Sequence, residues 1–384
     1  MTVYLDNAAT TRVCEEAAQA AFHTMTEVYG NPSSTHTLGR EAKSALDLAR
    51  KQVADALGAK PDEIFFTSCG SESDNWAIQC GAEAMRRKGR HIISSTVEHD
   101  AVRKSLDILE QNGFEVTRLA PESNGSIAVQ SVVDTLREDT VLVTLMMVNN
   151  ETGAVTEIAD IANAMKKAKS QALLHTDAVQ GFLKVPFSAK TLGADLISIS
   201  GHKIHAPKGI GALYIRNGIQ GVKGVKLHPF LLGGGQENGK RAGTEPLPNI
   251  AAFGIAAAIG KQKLSESLET MQCLRSLAVS RLTTEIPEIQ VIAGGAPHIL
   301  SISLPGYKSE VLMNFLEARG IYVSKSSACK KGARSHVLEA IGLEPRIIDG
   351  ALRISFSRFT TEEEIHLLCD ALKDAKCTLF PVLY

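Results

Sequence analysis

Between Ile64 and Ser95 the chain reads IFFTSCGSESDNWAIQCGAEAMRRKGRHIISS. Ile64-Phe65-Phe66-Thr67 is an apolar run of strand length, and His91-Ile92-Ile93-Ser94-Ser95 is a second. Between them lie hydroxyl side chains, Gly70, and a helical pattern from about Ser71 to Arg87. Strand, helix and strand in that order form the unit of a parallel sheet. The pattern extends both ways. Upstream, Ala42, Ala45, Leu46, Ala49, Val53, Ala56 and Leu57 share one helix face, which Gly58 ends. Downstream, helices are expected near 100–111, 129–137 and 157–168. Strands are expected at 115–119, along Val141 to Val148, and at 172–176, 196–200 and 212–215. Near-continuous apolar strands need cover on both faces, so the fold class is α/β with a mostly parallel sheet.

Beyond Gly233-Gly234-Gly235 the texture changes. A helical region rich in Ala runs from about Pro248 towards 285, and shorter elements follow: Ile299 to Ser303, a helix near 309–318, Ile321 to Val323, Leu352 to Ser355 and a closing helix near 361–376. This reads as a smaller α+β domain. The expected division is 14–258 for the large domain, with 1–13 and 259–384 together forming the small one.

The chain has 384 residues, and 41 Lys+Arg against 42 Asp+Glu leave a net charge of −1. Bulk electrostatics therefore gives no case for nucleic acid or an anionic membrane surface, and partners must be recognised locally. The seven cysteines are scattered without a C-x-x-C pair, so neither a disulfide framework nor a metal site is read from their spacing. The first residues lack a signal-peptide pattern, and no apolar run approaches the roughly 20 residues of a membrane span. A soluble cytoplasmic protein is expected.

The segment Asp195 to Gly211, DLISISGHKIHAPKGIG, delivers Ser200, His202 and Lys203 at the end of a strand. A lysine so placed can form a Schiff base if its surroundings lower its pKa; alone, it reads as a solvated loop lysine. A Schiff-base lysine suggests a carbonyl cofactor such as pyridoxal phosphate, whose ring nitrogen needs an acidic partner. Asp177 ends an apolar segment, with Gln180 three residues on; its plainer reading is a helix N-cap. Thr67 to Asn75 suits an anion at a helix start, or ordinary capping with Ser71 and Asp74 as a variant capping box. His99 follows another strand and could stack on a ring, or simply be a surface or core histidine.

Taken in order, these strings resemble cysteine desulfurases of the NifS/IscS type, in the class V aminotransferase family of fold-type I pyridoxal phosphate enzymes. The resemblance includes Tyr4 to Thr11, Asn31-Pro32-Ser33-Ser34, Thr67 to Asn75, Val97-Glu98-His99 and Asn149 to Gly153. It continues through Ser200 to Lys203, Gly233 to Glu237, Arg241 to Thr244, Ser326 to Cys329 and Arg353 to Thr360. It implies a seven-stranded sheet and pyridoxal 5'-phosphate as cofactor. By that resemblance Lys203 would carry the cofactor, Asp177 would pair with the ring nitrogen, Gln180 would bond the phenolic oxygen and His99 would stack and shuttle protons. Gly70, Ser71, Ser200 and His202 would hold the phosphate, and Thr244 would reach the phosphate of a second subunit, implying a homodimer. Arg353 would clamp the carboxylate of L-cysteine with Asn150 assisting. Cys329 would accept sulfur as a persulfide and pass it to an acceptor such as an iron-sulfur scaffold or a tRNA-thiolation relay.

Lys325, Lys330, Lys331 and Arg334 surround Cys329 with positive charge, which favours thiolate. The spacing from Cys329 to Ser335 is shorter and more basic than in housekeeping members, and no long tail follows Phe380, which leaves the acceptor open. Selenocysteine lyase or another fold-type I enzyme is the nearest alternative. A nucleotide-binding reading of Gly234 to Lys240 fails at Arg241, which stands where a P-loop needs Ser or Thr.

Overall fold

The computed structural model describes residues 2–219, 225–325 and 334–381. Seven strands form the main sheet: β2 (Ile64–Thr67), β3 (His91–Ser95), β4 (Glu115–Leu119), β5 (Thr140–Thr144), β6 (Leu173–Asp177), β7 (Leu196–Ser200) and β8 (Gly211–Ile215), in the spatial order β2-β8-β7-β6-β5-β3-β4. The neighbours from β7 through β4 pair in parallel, while β8 runs antiparallel to both β7 and β2.

Alternation along each strand explains the apolar runs. Ile93, Val143, Leu174, Ile197 and Ala212 enter one core with the helices Glu15–Thr26, Thr37–Leu57 and Leu247–Gln262. Their neighbours Ile92, Leu142, Leu173, Leu196 and Leu213 enter the other, against Trp76 and Leu106. Both faces are covered, so no polar face appears in the sequence. The helix Thr37–Leu57 ends on Gly58, which adopts the left-handed conformation at φ 71°.

A second sheet, β12-β13-β10-β9, is antiparallel and comprises β9 (Gln290–Ile292), β10 (Ile299–Ser303), β12 (Ser324–Lys325) and β13 (Ala351–Ser355). Beside it β1 (Val3–Tyr4) pairs in parallel with β11 (Ile321–Tyr322). Val3, Leu5, Leu300, Ile354 and Phe356 join this core with Leu368 and Leu372 of the closing helix Glu362–Thr378.

The structure sharpens the local reading in three places. The helical region towards 285 is two helices, Leu247–Gln262 and Leu264–Glu285, separated at Lys263. The apolar run to Val148 is regular strand only to Thr144, after which Leu145 and Met147 still donate backbone N–H groups to His175 and Asp177 carbonyls. The helix after β2 starts at Gly70 and passes through a π-helical segment, Trp76–Cys80, into Gly81–Met85. Among the described residues no helix is long and apolar enough to cross a membrane.

Candidate active site

Parallel sheets gather ligands at the carboxyl ends of their strands. Here β6 ends on Asp177, β7 on Ser200 and β3 leads to His99, and a cavity of about 470 Å³ opens there. Thr67 and Ser200 both lie opposite Gly211, bringing the ends of β2 and β7 together. A Cβ on Gly211 would stand 2.8 Å from the Cys69 carbonyl carbon, so this convergence requires glycine.

Lys203 follows β7 on the 3-10 turn Gly201–Lys203, and its Nζ donates to the carbonyls of Ala8 at 2.6 Å and Ala9 at 2.8 Å. Burial, with Arg353 adding to it, lowers its pKa to about 8, against the pull of Asp177 and Asp6. About a tenth is thus neutral amine, the nucleophilic form, at pH 7. Asp177 Oδ1 accepts from Val179 N at 2.9 Å; burial pushes this carboxyl up, while His99 and Lys203 draw it back towards the charged form. Asp177 caps a turn rather than a helix. His99 caps the helix Asp100–Gln111, its Nδ1 accepting from Ala101 N at 3.1 Å, an assignment that leaves the proton on Nε2.

Gly70, Ser71, Ser200 and His202 line one end of the cavity. A Cβ on Gly70 would come 2.6 Å from Val179 Cγ2, so a bare backbone is needed there. Burial, reinforced by Lys203, Lys208 and Lys184, pulls His202 down to about 4, and its Nδ1 lies 3.2 Å from Thr10 Oγ1. Gln180 Nε2 donates to the Ala8 carbonyl at 2.8 Å, which leaves a second N–H on the amide.

At the opposite wall β13 presents Arg353, which is 3% exposed. Its Nη2 donates to Asp6 Oδ1 and its Nη1 to the Asn150 carbonyl, both at 2.9 Å, while buried Nε has no partner. Thr244 is exposed and is not among the residues lining this cavity.

Cys329, with Ser326 to Ala328 and Lys330 to Gly332, lies outside the described residues. The chain on either side shows that two of the four neighbouring cations are paired. Lys325 Nζ is 3.0 Å from Glu310 Oε1, and Arg334 Nε is 2.9 Å from Asp349 Oδ1. The basic stretch read from sequence thus carries acidic partners at both of its described ends. Ser335 donates to buried Glu151, and His336 and Val337 line the cavity.

Several cavity groups escaped the sequence reading. The carbonyls of Ala8 and Ala9 hold Lys203, yet backbone acceptors leave no composition signal. Glu98 and Glu151 line the cavity too, and burial pushes them up to about 8 and about 7 respectively. Glu98 directly precedes His99, the one available clue. The variant capping box is absent: Asp74 turns inward to within 3.6 Å of His175 Nε2, and Glu72 instead accepts from Ser68 N.

These groups fit pyridoxal 5'-phosphate. Ser200 Oγ and Gln180 Oε1 are buried without partners, as groups awaiting a polar ligand would be, and Lys203 and Asp177 face the same space. The family model for class-V aminotransferases matches residues 3–368. Cysteine desulfurase IscS of Methanosarcina thermophila is 42% identical over 377 residues, covering 97% of this chain and 91% of that one. A solved NifS-like protein superposes with a TM-score of 0.92 at 38% identity, covering 99% of this chain and 100% of the other. The structure described as SspA in complex with cysteine gives 0.81 at 33%, covering 94% and 100%. The chain therefore belongs to the class-V aminotransferases, enzymes that use pyridoxal 5'-phosphate.

Proposed function

We propose that this enzyme is a cysteine desulfurase that converts L-cysteine to L-alanine and places the sulfur on Cys329. The observation carrying this reading is that one cavity holds a depressed lysine, a buried aspartate and an arginine whose Nε lacks a partner. The relatives named cysteine desulfurase, and the neighbour described as SspA in complex with cysteine, supply the substrate class.

Arg353 takes the substrate carboxylate on Nε and the remaining N–H of Nη2, a side-on pair that its contacts to Asp6 and Asn150 leave open. Asn150 assists at the same wall. Pyridoxal phosphate, held by Lys203, Asp177, Gln180, Gly70, Ser71, Ser200 and His202, supplies an electron sink for the substrate α-carbon. Lys203 Nζ removes and returns the α-proton, and His99 Nε2 supplies a proton within the cavity. At Cys329 the thiolate attacks the substrate sulfur. The Cβ–Sγ bond breaks with its electron pair left on carbon, which takes a proton; an S–S bond forms, and Cys329 carries the persulfide.

The persulfide sulfur then passes to an acceptor thiol, with an iron-sulfur scaffold or a thiolation relay as the class of recipient. We also read the molecule as a homodimer of two-domain subunits, divided as 14–258 and 1–13 with 259–384. Exposed Phe22, Met25, Tyr29 and Leu232 support the dimer, as does Thr244 standing outside its own chain's cavity. Incubation with L-cysteine tests the activity: alanine and a persulfide on Cys329 are expected, and both vanish in Cys329→Ala. A keto acid product, or unchanged alanine formation by that variant, overturns the assignment.

A further inference from the structure

The segment Gly233 to Thr244, GGGQENGKRAGT, has no part in the reaction above except through Thr244. Two ion pairs tie it to the opening strand of the sheet and to the turn that follows. Glu237 is 6% exposed and meets Arg50 through two contacts, Nη1 to Oε2 at 2.7 Å and Nη2 to Oε1 at 2.6 Å. It also accepts from Phe66 N at 2.9 Å, while Arg50 donates to the Ile64 carbonyl. The free edge of β2 is thereby satisfied.

The second pair lies beside the cavity. Arg241 Nε and Nη2 meet Glu72 Oε1 and Oε2 at 2.9 and 3.1 Å, with both side chains largely buried. Glu72 Oε2 also accepts from Ser68 N at 2.8 Å. Glu72 immediately follows Gly70 and Ser71, which line the end of the cavity assigned to the phosphate. A carboxylate fixed beside a site for a doubly charged anion opposes that anion, and partial burial strengthens the opposition. Arg241 cancels the charge while leaving Glu72 free to hold Ser68.

We propose that Arg241 is a positioning residue for the cofactor phosphate, neutralising Glu72 so that the turn 68–71 can bind a dianion. This rests on the phosphate lying at Gly70, Ser71, Ser200 and His202. The Gly-rich segment is then a brace for the cofactor rather than a nucleotide loop.

The test uses the full-length chain, stripped of cofactor and titrated by absorbance with pyridoxal 5'-phosphate and, separately, with pyridoxal. Arg241→Met is expected to weaken pyridoxal phosphate about tenfold or more, and pyridoxal by no more than about twofold. Adding Glu72→Gln to that variant is expected to restore phosphate binding to within about threefold of the parent. A double variant as weak as Arg241→Met, or equal losses for both ligands, overturns the proposal. Should Arg241→Met not fold, Glu72→Gln alone decides: an unchanged or lower dissociation constant supports charge cancellation, and a higher one overturns it. If instead the parent binds both ligands equally, and Ser200→Ala and His202→Ala have no effect, the phosphate lies elsewhere. In that case the underlying site assignment is what fails, and the brace falls with it.

Discussion

The two walls of the cavity are built by different means. On the wall built by the seven-stranded sheet, Asp177 and Ser200 end adjacent strands whose register sets their spacing, and the turn after β7 adds Lys203. On the wall built by the four-stranded sheet, Arg353 projects from within antiparallel β13, and its orientation depends on Asp6 and the Asn150 carbonyl, both remote in sequence. On the proposed reading, the first wall holds a cofactor that stays and the second grips a substrate that comes and goes. Residues 4–11 join them. Ala8 N donates to Ser355 Oγ on one side, and the Ala8 and Ala9 carbonyls receive Lys203 on the other.

The contrast is tested most severely by Lys203→Ala. Turnover of L-cysteine should fall by about 10⁴-fold and the covalent link to the cofactor should disappear; an unchanged visible spectrum would refute the assignment. The charge state of the same lysine gives a second test. Only neutral amine reacts with the aldehyde, so cofactor incorporation into the stripped chain should rise with pH and level off near 8, the lowered value, instead of near 10.5. A plateau displaced to the ordinary lysine range would remove the role given to burial.

Arg353→Ala should instead raise KM for L-cysteine by roughly 10- to 100-fold, the scale of a charged hydrogen-bonded contact, while the bound cofactor keeps its spectrum. Equal damage to cofactor retention would erase the distinction between the walls. Smallest is Ser355→Ala, which leaves the buried Ala8 N–H without its acceptor and should cost about 1–3 kcal/mol in denaturant unfolding. An unmoved midpoint would show that the join contributes nothing.

The first wall was legible in sequence because its signals are local. Apolar runs gave the strands, and Asp177, Ser200 and Lys203 sit where those runs stop. The second wall was legible only through family resemblance, since nothing near Arg353 in the chain announces Asp6. Charge patterns leave out partners that lie elsewhere in the chain. Lys325 and Arg334 read as part of a basic stretch around Cys329, and the structure adds Glu310 and Asp349 as their partners. Ser71 and Asp74 looked like a cap until long-range packing gave Asp74 to His175 and Glu72 to Arg241. For a buried acid such as Glu98 the only sequence mark is its place beside His99, because burial is a property of the assembled sheet.

The join between the walls also bears on the order of folding. Ser355 Oγ donates to the Leu5 carbonyl across 350 residues of chain. Closing so long a loop is entropically costly and belongs late in folding. No pairing in the seven-stranded sheet spans so much chain, so the sheet that carries Lys203 can assemble before β13 docks against Leu5 and Ala8.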